Sequence, residues 1–74
     1  MEEKIVKILS GLRPEFDFTE NVDFIEEGML DSFDIVSLIN ELDKEFNIVV
    51  PGEEVVPENF SSVEAISQLI GKLK

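Results

Sequence analysis

Apolar residues recur at helical spacing in three segments of the 74-residue chain. In the first segment they occupy positions i, i+3, i+4 and i+7, which form one face of an amphipathic helix: Ile5, Ile8, Leu9 and Leu12. Two glutamates in the opening turn suit the positive end of the helix macrodipole, and Pro14 prevents continuation at the other end. We therefore predict a first helix over about residues 2–12.

The strongest pattern lies in the middle of the chain. Five apolar residues fall at positions i, i+3, i+4, i+7 and i+11: Ile35, Leu38, Ile39, Leu42 and Phe46. Asp31 and Ser32 are residue types that cap helix N-termini, and Asn47 suits a left-handed residue at a helix C-terminus. The pattern predicts a second helix of about four turns over residues 32–46.

The last segment begins with a sequence typical of a capping box, in which Ser61 and Glu64 would exchange hydrogen bonds with each other's backbone. Apolar residues then follow at helical spacing: Val63, Ile66, Leu69, Ile70 and Leu73. We predict a third main helix over about residues 62–73, with Lys72 and Lys74 near its negative end.

The segments between these helices show no sustained period. Residues 13–30 are too long for an ordinary connection, so we expect them to pack through their own apolar side chains. The candidates are Phe16, Phe18, Phe24 and Ile25. We expect residues 48–50 to form a buried connection, and Pro57 to open a short helical turn with Phe60 directed inward. The sequence thus predicts a single all-α domain over residues 1–74, a small bundle of three main helices plus one short helix, with a long loop between the first two.

The net charge is large for a chain of this size. Seventeen acidic residues against six basic ones give a formal charge of −11 at pH 7. Nucleic acids and anionic membrane surfaces would be repelled, because both are bound through lysine and arginine. No apolar run approaches the roughly 20 residues of a membrane-spanning helix, and the N-terminus lacks the features of a secretion signal. We expect a cytoplasmic monomer whose partners present basic surfaces.

The residue inventory argues against self-sufficient catalysis. The chain has no cysteine and no histidine, so it lacks a thiolate nucleophile, the usual general base and the preferred ligands of zinc. The four glycines are too far apart for a phosphate-binding loop, and no segment matches a calcium-binding loop. Carboxylate pairs carry little information among 17 acidic residues. We expect neither an enzyme nor a metal site.

Ser32 stands out because of its place at the start of the predicted second helix. If Asp31 caps that helix by accepting a hydrogen bond from the Asp34 backbone N–H, Ser32 takes the first helical position and its hydroxyl is free. A phosphoryl group on that oxygen would meet the unpaired N–H groups and the positive end of the helix. The simpler alternative is that Ser32 is only a cap. No base lies near it in sequence, so another protein would have to modify it.

These residues together resemble a known family. The chain is similar to the acyl carrier proteins and to their peptidyl and D-alanyl carrier relatives in the following residues: Leu30-Asp31-Ser32-Phe33-Asp34, then Val36, Leu38, Ile39, Leu42, Glu45, Phe46 and Pro51. The resemblance covers nearly the whole chain, including the order of helices and the long loop. It is specific because the Asp-Ser motif stands at the head of a periodic helix in an acidic chain without Cys, His or Trp.

The resemblance implies a role for Ser32. In such carriers the serine of this motif bears 4'-phosphopantetheine, which a separate magnesium-dependent phosphopantetheinyl transferase moves from coenzyme A. The thiol of the arm holds an acyl or aminoacyl group as a thioester, and the carrier presents it to a loading ligase and to downstream synthases or transferases. By the same resemblance, Asp31 and Asp34 help present the serine to the transferase.

Two further sets of residues follow from the resemblance. Candidates for the partner-facing side of the second helix are Asp34, Ser37, Glu41, Asp43, Lys44 and Glu45. Candidates for an apolar wall against which the cargo folds back are Phe24, Val36, Ile39, Leu42, Val55 and Ile66. For these residues plain core packing is the alternative.

Departures from the family pattern indicate a specialised carrier. Phe33 replaces the leucine that most often follows the serine, and residues 52–60 form a longer stretch than in fatty-acid carriers. We therefore expect a dedicated pathway of the aminoacyl, D-alanyl or polyketide type instead of housekeeping fatty-acid synthesis. The competing hypothesis is a non-catalytic acidic adaptor, in which Ser32 only caps the helix and the acidic surface binds a basic protein.

Overall fold

A computed structural model describes the whole chain, Met1–Lys74, as three α-helices and two short 3-10 helices without any strand. The α-helices are α1 (Glu2–Leu12), α2 (Ser32–Phe46) and α3 (Val63–Leu73). The 3-10 helices cover Gly52–Glu54 and Pro57–Phe60. The predicted all-α bundle is confirmed, and so are the bounds of the first two helices. No helix is both long and apolar enough to span a membrane.

One hydrophobic core joins all three α-helices to the loops between them. It contains thirteen buried apolar residues: Ile5, Leu9, Phe18, Phe24, Met29, Leu30, Leu38, Leu42, Ile48, Phe60, Ile66, Leu69 and Ile70. The seven that lie on the α-helices all occupy positions of the apolar spacing found in the sequence. Each fully buried side chain of this kind contributes roughly 1.5–3 kcal/mol, so the core is the main source of stability.

The long loop between α1 and α2 packs through its own aromatic residues. The rings of Phe18 and Phe24 are buried and meet edge to face, with centroids 5.0 Å apart. The Phe24 N–H donates to the Ser61 carbonyl at 2.8 Å, and the Leu30 N–H donates to the Phe24 carbonyl at 3.3 Å. These bonds tie the loop to the start of α3 and determine where the chain enters α2.

The C-terminus of α2 confirms one local prediction and corrects another. Asn47 has the left-handed conformation, with φ 55° and ψ 50°, as its residue type suggested. Of the expected buried connection at residues 48–50, Ile48 is buried, but the side chain of Val49 is 78% exposed. The expectation is wrong for Val49 because successive side chains of a non-helical segment point to opposite sides.

The start of α3 differs from the predicted capping box. Ser62, not Ser61, is the N-cap, and its hydroxyl oxygen accepts a hydrogen bond from the Ala65 N–H at 3.0 Å. Ser61 instead donates its hydroxyl to the Glu58 carbonyl at 3.1 Å, within the short turn that Pro57 opens. The helix therefore begins one residue later than predicted. The inward direction of Phe60 at the end of that turn is confirmed.

Candidate functional site

The N-terminus of α2 is closed by a reciprocal pair of aspartates. Asp31 is the N-cap, and its Oδ1 accepts a hydrogen bond from the Asp34 N–H at 2.9 Å. In return, Oδ2 of Asp34 accepts from the Asp31 N–H at 3.1 Å. Of the two cap residues that the sequence left open, Asp31 is the one that caps this helix. Ser32 is therefore the first helical residue, is exposed, and does not provide the cap.

The charge of Asp31 is held by this cap. The Asp34 N–H lowers the pKa of the Asp31 carboxyl below its ordinary value of 3.8, because the hydrogen bond stabilises the ionised form. The lowered pKa also makes the Asp31 carboxylate a weaker proton acceptor for the neighbouring hydroxyl, and its Oδ1 is already engaged with the helix. Ser32 therefore exposes an alcohol beside a carboxylate that is a poor general base.

Arg13 at the end of α1 completes the site from the other side. Its Nη1 donates to Oδ2 of Asp34 at 2.7 Å, and its Nε donates to Oε2 of Glu15 at 2.9 Å. The guanidinium also lies 5.3 Å from the centre of the Phe16 ring. The hydrogen bond to Glu15, together with the charges of Asp34 and Asp31, raises the pKa of Arg13 above its ordinary value.

Sequence reasoning missed both Arg13 and the reciprocal hydrogen bond that Asp34 accepts from the Asp31 N–H. The contact between them spans 21 positions and depends on the path of an irregular loop, which periodicity does not predict. The capping-box pattern, moreover, specifies Glu or Gln at the third helical position, where this helix has Asp34. The one signal in the sequence was that Arg13 is the single arginine of the chain.

The residues predicted to face partners on α2 are exposed to different extents. Glu41 and Lys44 are exposed. Glu45 is also exposed, and its Oε2 lies 3.4 Å from the Lys4 Nζ of α1. Asp43 is half-buried, and its Oδ1 is buried without a hydrogen-bond partner. The structure thus shows which members of the set are exposed, and their role in partner binding stays a prediction.

The exposed surface of α2 next to Ser32 is apolar. The side chain of Phe33 is 79% exposed and that of Val36 is 60% exposed. Ser37 is half-buried, and Asp34, also predicted to face partners, is directed inward to Arg13. Phe33 was noted in the sequence only as a departure from the family pattern, although it is the most exposed large apolar residue in the chain.

The six candidates for a cargo wall are distributed between core and surface. Phe24, Leu42 and Ile66 are fully buried in the core, whereas Val36 and Val55 are exposed. Ile39 is partly buried against the core. A cleft of about 490 Å³ lies elsewhere, between α1, the first loop and the start of α3. Phe24 is the one member of the predicted set that lines it.

Comparison with known proteins agrees with this geometry. Residues 3–70 match the family model described as a phosphopantetheine attachment site. The chain is 31% identical over 71 residues to aminoacyl carrier protein 1 of Bradyrhizobium diazoefficiens, covering 90% of this chain and 78% of that protein. It also superposes, with a TM-score of 0.77 and 30% identity, on a chain in the crystal structure of the Bradyrhizobium japonicum glycine:carrier protein ligase complexed with glycylated carrier protein. That superposition covers 92% of this chain and 95% of the other.

The family match extends over nearly the whole chain and includes the N-terminus of α2, where an exposed serine follows the helix cap. The carrier resemblance found in the sequence is thereby confirmed. The chain belongs to the phosphopantetheine-attachment family and is a carrier protein.

Proposed function

We propose that Ser32 is the residue that carries 4'-phosphopantetheine and that the group carried on its arm is an aminoacyl group. The observation that supports the attachment site is the exposed Ser32 hydroxyl at the first position of α2, which the Asp31 cap leaves free. The aminoacyl cargo is supported by the two similar proteins. One is an aminoacyl carrier protein, and the other is a chain in the complex of a glycine:carrier protein ligase with glycylated carrier protein.

The residues at this end of α2 fit a phosphodiester. The first-turn N–H groups and the positive end of the helix dipole favour a negative group on the Ser32 oxygen. The two nearest carboxylates are already engaged, Asp31 with the Asp34 N–H and Asp34 with Arg13, so part of their repulsion is offset. When bound, the cofactor supplies a thiol on a flexible arm, which a chain without cysteine lacks.

The role of the chain itself is to present Ser32, and then the group attached to it, to other enzymes. No histidine exists in the chain and Asp31 is committed to the cap, so the proton of the Ser32 hydroxyl must be accepted by a base of the phosphopantetheinyl transferase. The same limitation applies to loading, which requires an aminoacyl ligase and then a downstream enzyme that takes the aminoacyl group. The domain thus acts as a substrate for several enzymes in turn.

The surface around Ser32 suits this succession of partners. Phe33 and Val36 offer exposed apolar contacts beside the serine, and Glu41 offers a carboxylate further along α2. A partner with an apolar pocket rimmed by basic residues would complement it, and the net charge of −11 would speed its approach. We place these encounters in the cytoplasm and treat the carrier as a monomeric single domain.

The attachment is tested by intact mass spectrometry after incubation with coenzyme A, magnesium and a broad-specificity transferase. We expect the mass to rise by one phosphopantetheine in the wild type and in Ser62→Ala, and not in Ser32→Ala. The Ser62 variant is the matched control, because it removes the same group from the start of another helix. Modification of Ser32→Ala, or none of the wild type, would overturn the proposal.

The cargo is tested on the modified protein with a carrier-loading aminoacyl ligase and a panel of single amino acids and short-chain acids. We expect a mass increase with an amino acid that is lost on treatment with hydroxylamine, which cleaves thioesters. Loading with a plain acid and with no amino acid would contradict the aminoacyl part and leave the attachment site standing.

One premise of the adaptor hypothesis, the use of Ser32 as the cap of α2, does not hold. It requires the Ser32 hydroxyl to serve as the helix cap, and that position is occupied by Asp31. An adaptor would retain its function in a folded Ser32→Ala protein, whereas the carrier would lose it entirely. Replacement of the wild-type gene by this variant separates the two hypotheses.

A further inference from the structure

The guanidinium of Arg13 is held by three groups at once. Two are carboxylates, Asp34 at 2.7 Å and Glu15 at 2.9 Å, and the third is the face of the Phe16 ring at 5.3 Å. Because Arg13 directly follows the last residue of α1, these contacts fix the end of one helix against the start of another. An ordinary surface ion pair between long, mobile side chains lacks this degree of restraint.

Asp34 is the only charged residue of the chain that is buried, at 9% exposure. A single oxygen, Oδ2, accepts hydrogen bonds both from Arg13 Nη1 and from the Asp31 N–H. Removal of the arginine would leave a buried carboxylate without its counter-charge, which is strongly unfavourable. The side chain would then turn toward water and release the Asp31 N–H, so one of the two bonds of the helix cap would be lost.

We propose that Arg13 is a positioning residue for the modification of Ser32, acting through Asp34 and the α2 cap. This inference rests on the attachment site proposed above. Ser32 directly follows the N-cap residue Asp31, so the direction of its hydroxyl depends on the N-terminal turn of α2 keeping its shape. A misplaced nucleophile slows transfer even when the partner still binds, because reaction requires a narrow range of approach.

The geometry favours arginine over lysine at this position. The planar guanidinium bonds two carboxylates through different nitrogens and lies over an aromatic ring, whereas one ammonium makes no such fork. Lysine retains the charge opposite Asp34 and cannot reproduce all three contacts. We therefore expect Arg13→Lys to retain an intermediate rate, between the wild type and a neutral variant.

The test is the steady-state rate of transfer from coenzyme A to the carrier, for the wild type, Arg13→Gln, Arg13→Lys and Lys72→Gln. Lys72 is the matched control, since its ion pair with Glu54 at 2.6 Å links α3 to a 3-10 helix and takes no part in the α2 cap. For Arg13→Gln we expect kcat to fall on the order of tenfold or more, with the KM for the carrier changed less than about twofold. Lys72→Gln should keep the wild-type kcat.

A second measurement does not depend on modification. Amide hydrogen exchange followed by NMR should show faster exchange of the Asp31 and Asp34 N–H groups in Arg13→Gln, with the middle of α3 unchanged. If Arg13→Gln keeps both the wild-type kcat and the wild-type exchange, the inference is wrong. A raised KM at constant kcat would make Arg13 a docking residue and would equally overturn it.

Two further outcomes need their own interpretation: an Arg13→Gln protein that does not fold, and a wild type that is not modified. Should Arg13→Gln fail to fold, the comparison of Arg13→Lys with Lys72→Gln decides, because equal rates in those two variants would contradict the inference. Should the wild type not be modified at Ser32, the proposed attachment fails, while the exchange measurement still reports whether Arg13 holds the cap.

Discussion

Two serines at helix starts allow a sharp test of which hydroxyl is structural. Ser62 caps α3 by accepting a hydrogen bond from the Ala65 N–H, whereas Ser32 lies one residue inside α2 and caps nothing. The same substitution, serine to alanine, should therefore have different effects at the two sites. Loss of a serine N-cap costs about 1 kcal/mol, within a range of 0.5–2 kcal/mol.

The expected change in melting temperature follows from the size of the chain. An unfolding entropy of about 2.1 cal/mol/K per residue gives about 0.16 kcal/mol/K for 74 residues. The Ser62→Ala protein should thus melt about 6 °C lower than the wild type. For Ser32→Ala we expect a change within about 3 °C, because no hydrogen bond is lost and alanine is a slightly better helix former than serine.

The assay is thermal unfolding followed by circular dichroism at 222 nm, with concentration from amino-acid analysis because the chain has neither Trp nor Tyr. Both variants should refold on cooling, so that the midpoints can be compared as equilibrium values. A loss of stability in Ser32→Ala as large as in Ser62→Ala would show that the Ser32 hydroxyl is engaged in the fold. The assignment of a free hydroxyl would then be refuted.

Three further predictions concern the core, the net charge and one ion pair. Leu42→Ala, which empties a fully buried site, should lower the free energy of unfolding in urea by about 2–5 kcal/mol, and a loss below 1 kcal/mol would contradict the core as described. Raising NaCl from about 10 to about 150 mM should raise the melting temperature by screening a charge of −11, and a flat or falling response would count against self-repulsion. The hydrogen bond from Lys72 lowers the pKa of Glu54 below 4.5, so the stability that this pair contributes is present above pH 4.5 and disappears as the pH falls through the lowered pKa. In urea titrations at several pH values, the stability difference between wild type and Glu54→Gln should shrink with acid, and a constant difference would disprove the link.

The helices could be predicted because their cause is local and repeated. The apolar spacing of α1 and α2 gave bounds that the structure reproduces, since a helix buries one face and the period of that face is fixed. The exact caps were harder to predict, because each of the two helix starts offers two adjacent residues of capping type. At α2 the sequence left Asp31 and Ser32 open, and the structure selects Asp31, which bonds the backbone three residues later. At α3 two adjacent serines are equally good caps by type, and only the preceding 3-10 turn separates them.

The contacts that hold the site in place could not be predicted from the spacing of apolar residues. The contact between Arg13 and Asp34 depends on the packing of Phe18 and Phe24, which brings the long loop back to the start of α2. Contacts of that kind carry no periodic signal. The partner-facing and cargo-binding residues remain predictions for a related reason, since both depend on molecules that bind the carrier. The structure shows only which of them are exposed.

The most direct test of the central claim is mass spectrometry of the protein isolated from its own cells, with the digested peptides fragmented to locate any added group. We expect the peptide that contains Ser32 to carry one phosphopantetheine, in part with an aminoacyl group attached. An unmodified Ser32, or a phosphopantetheine located on any other serine, would contradict the role assigned to this hydroxyl.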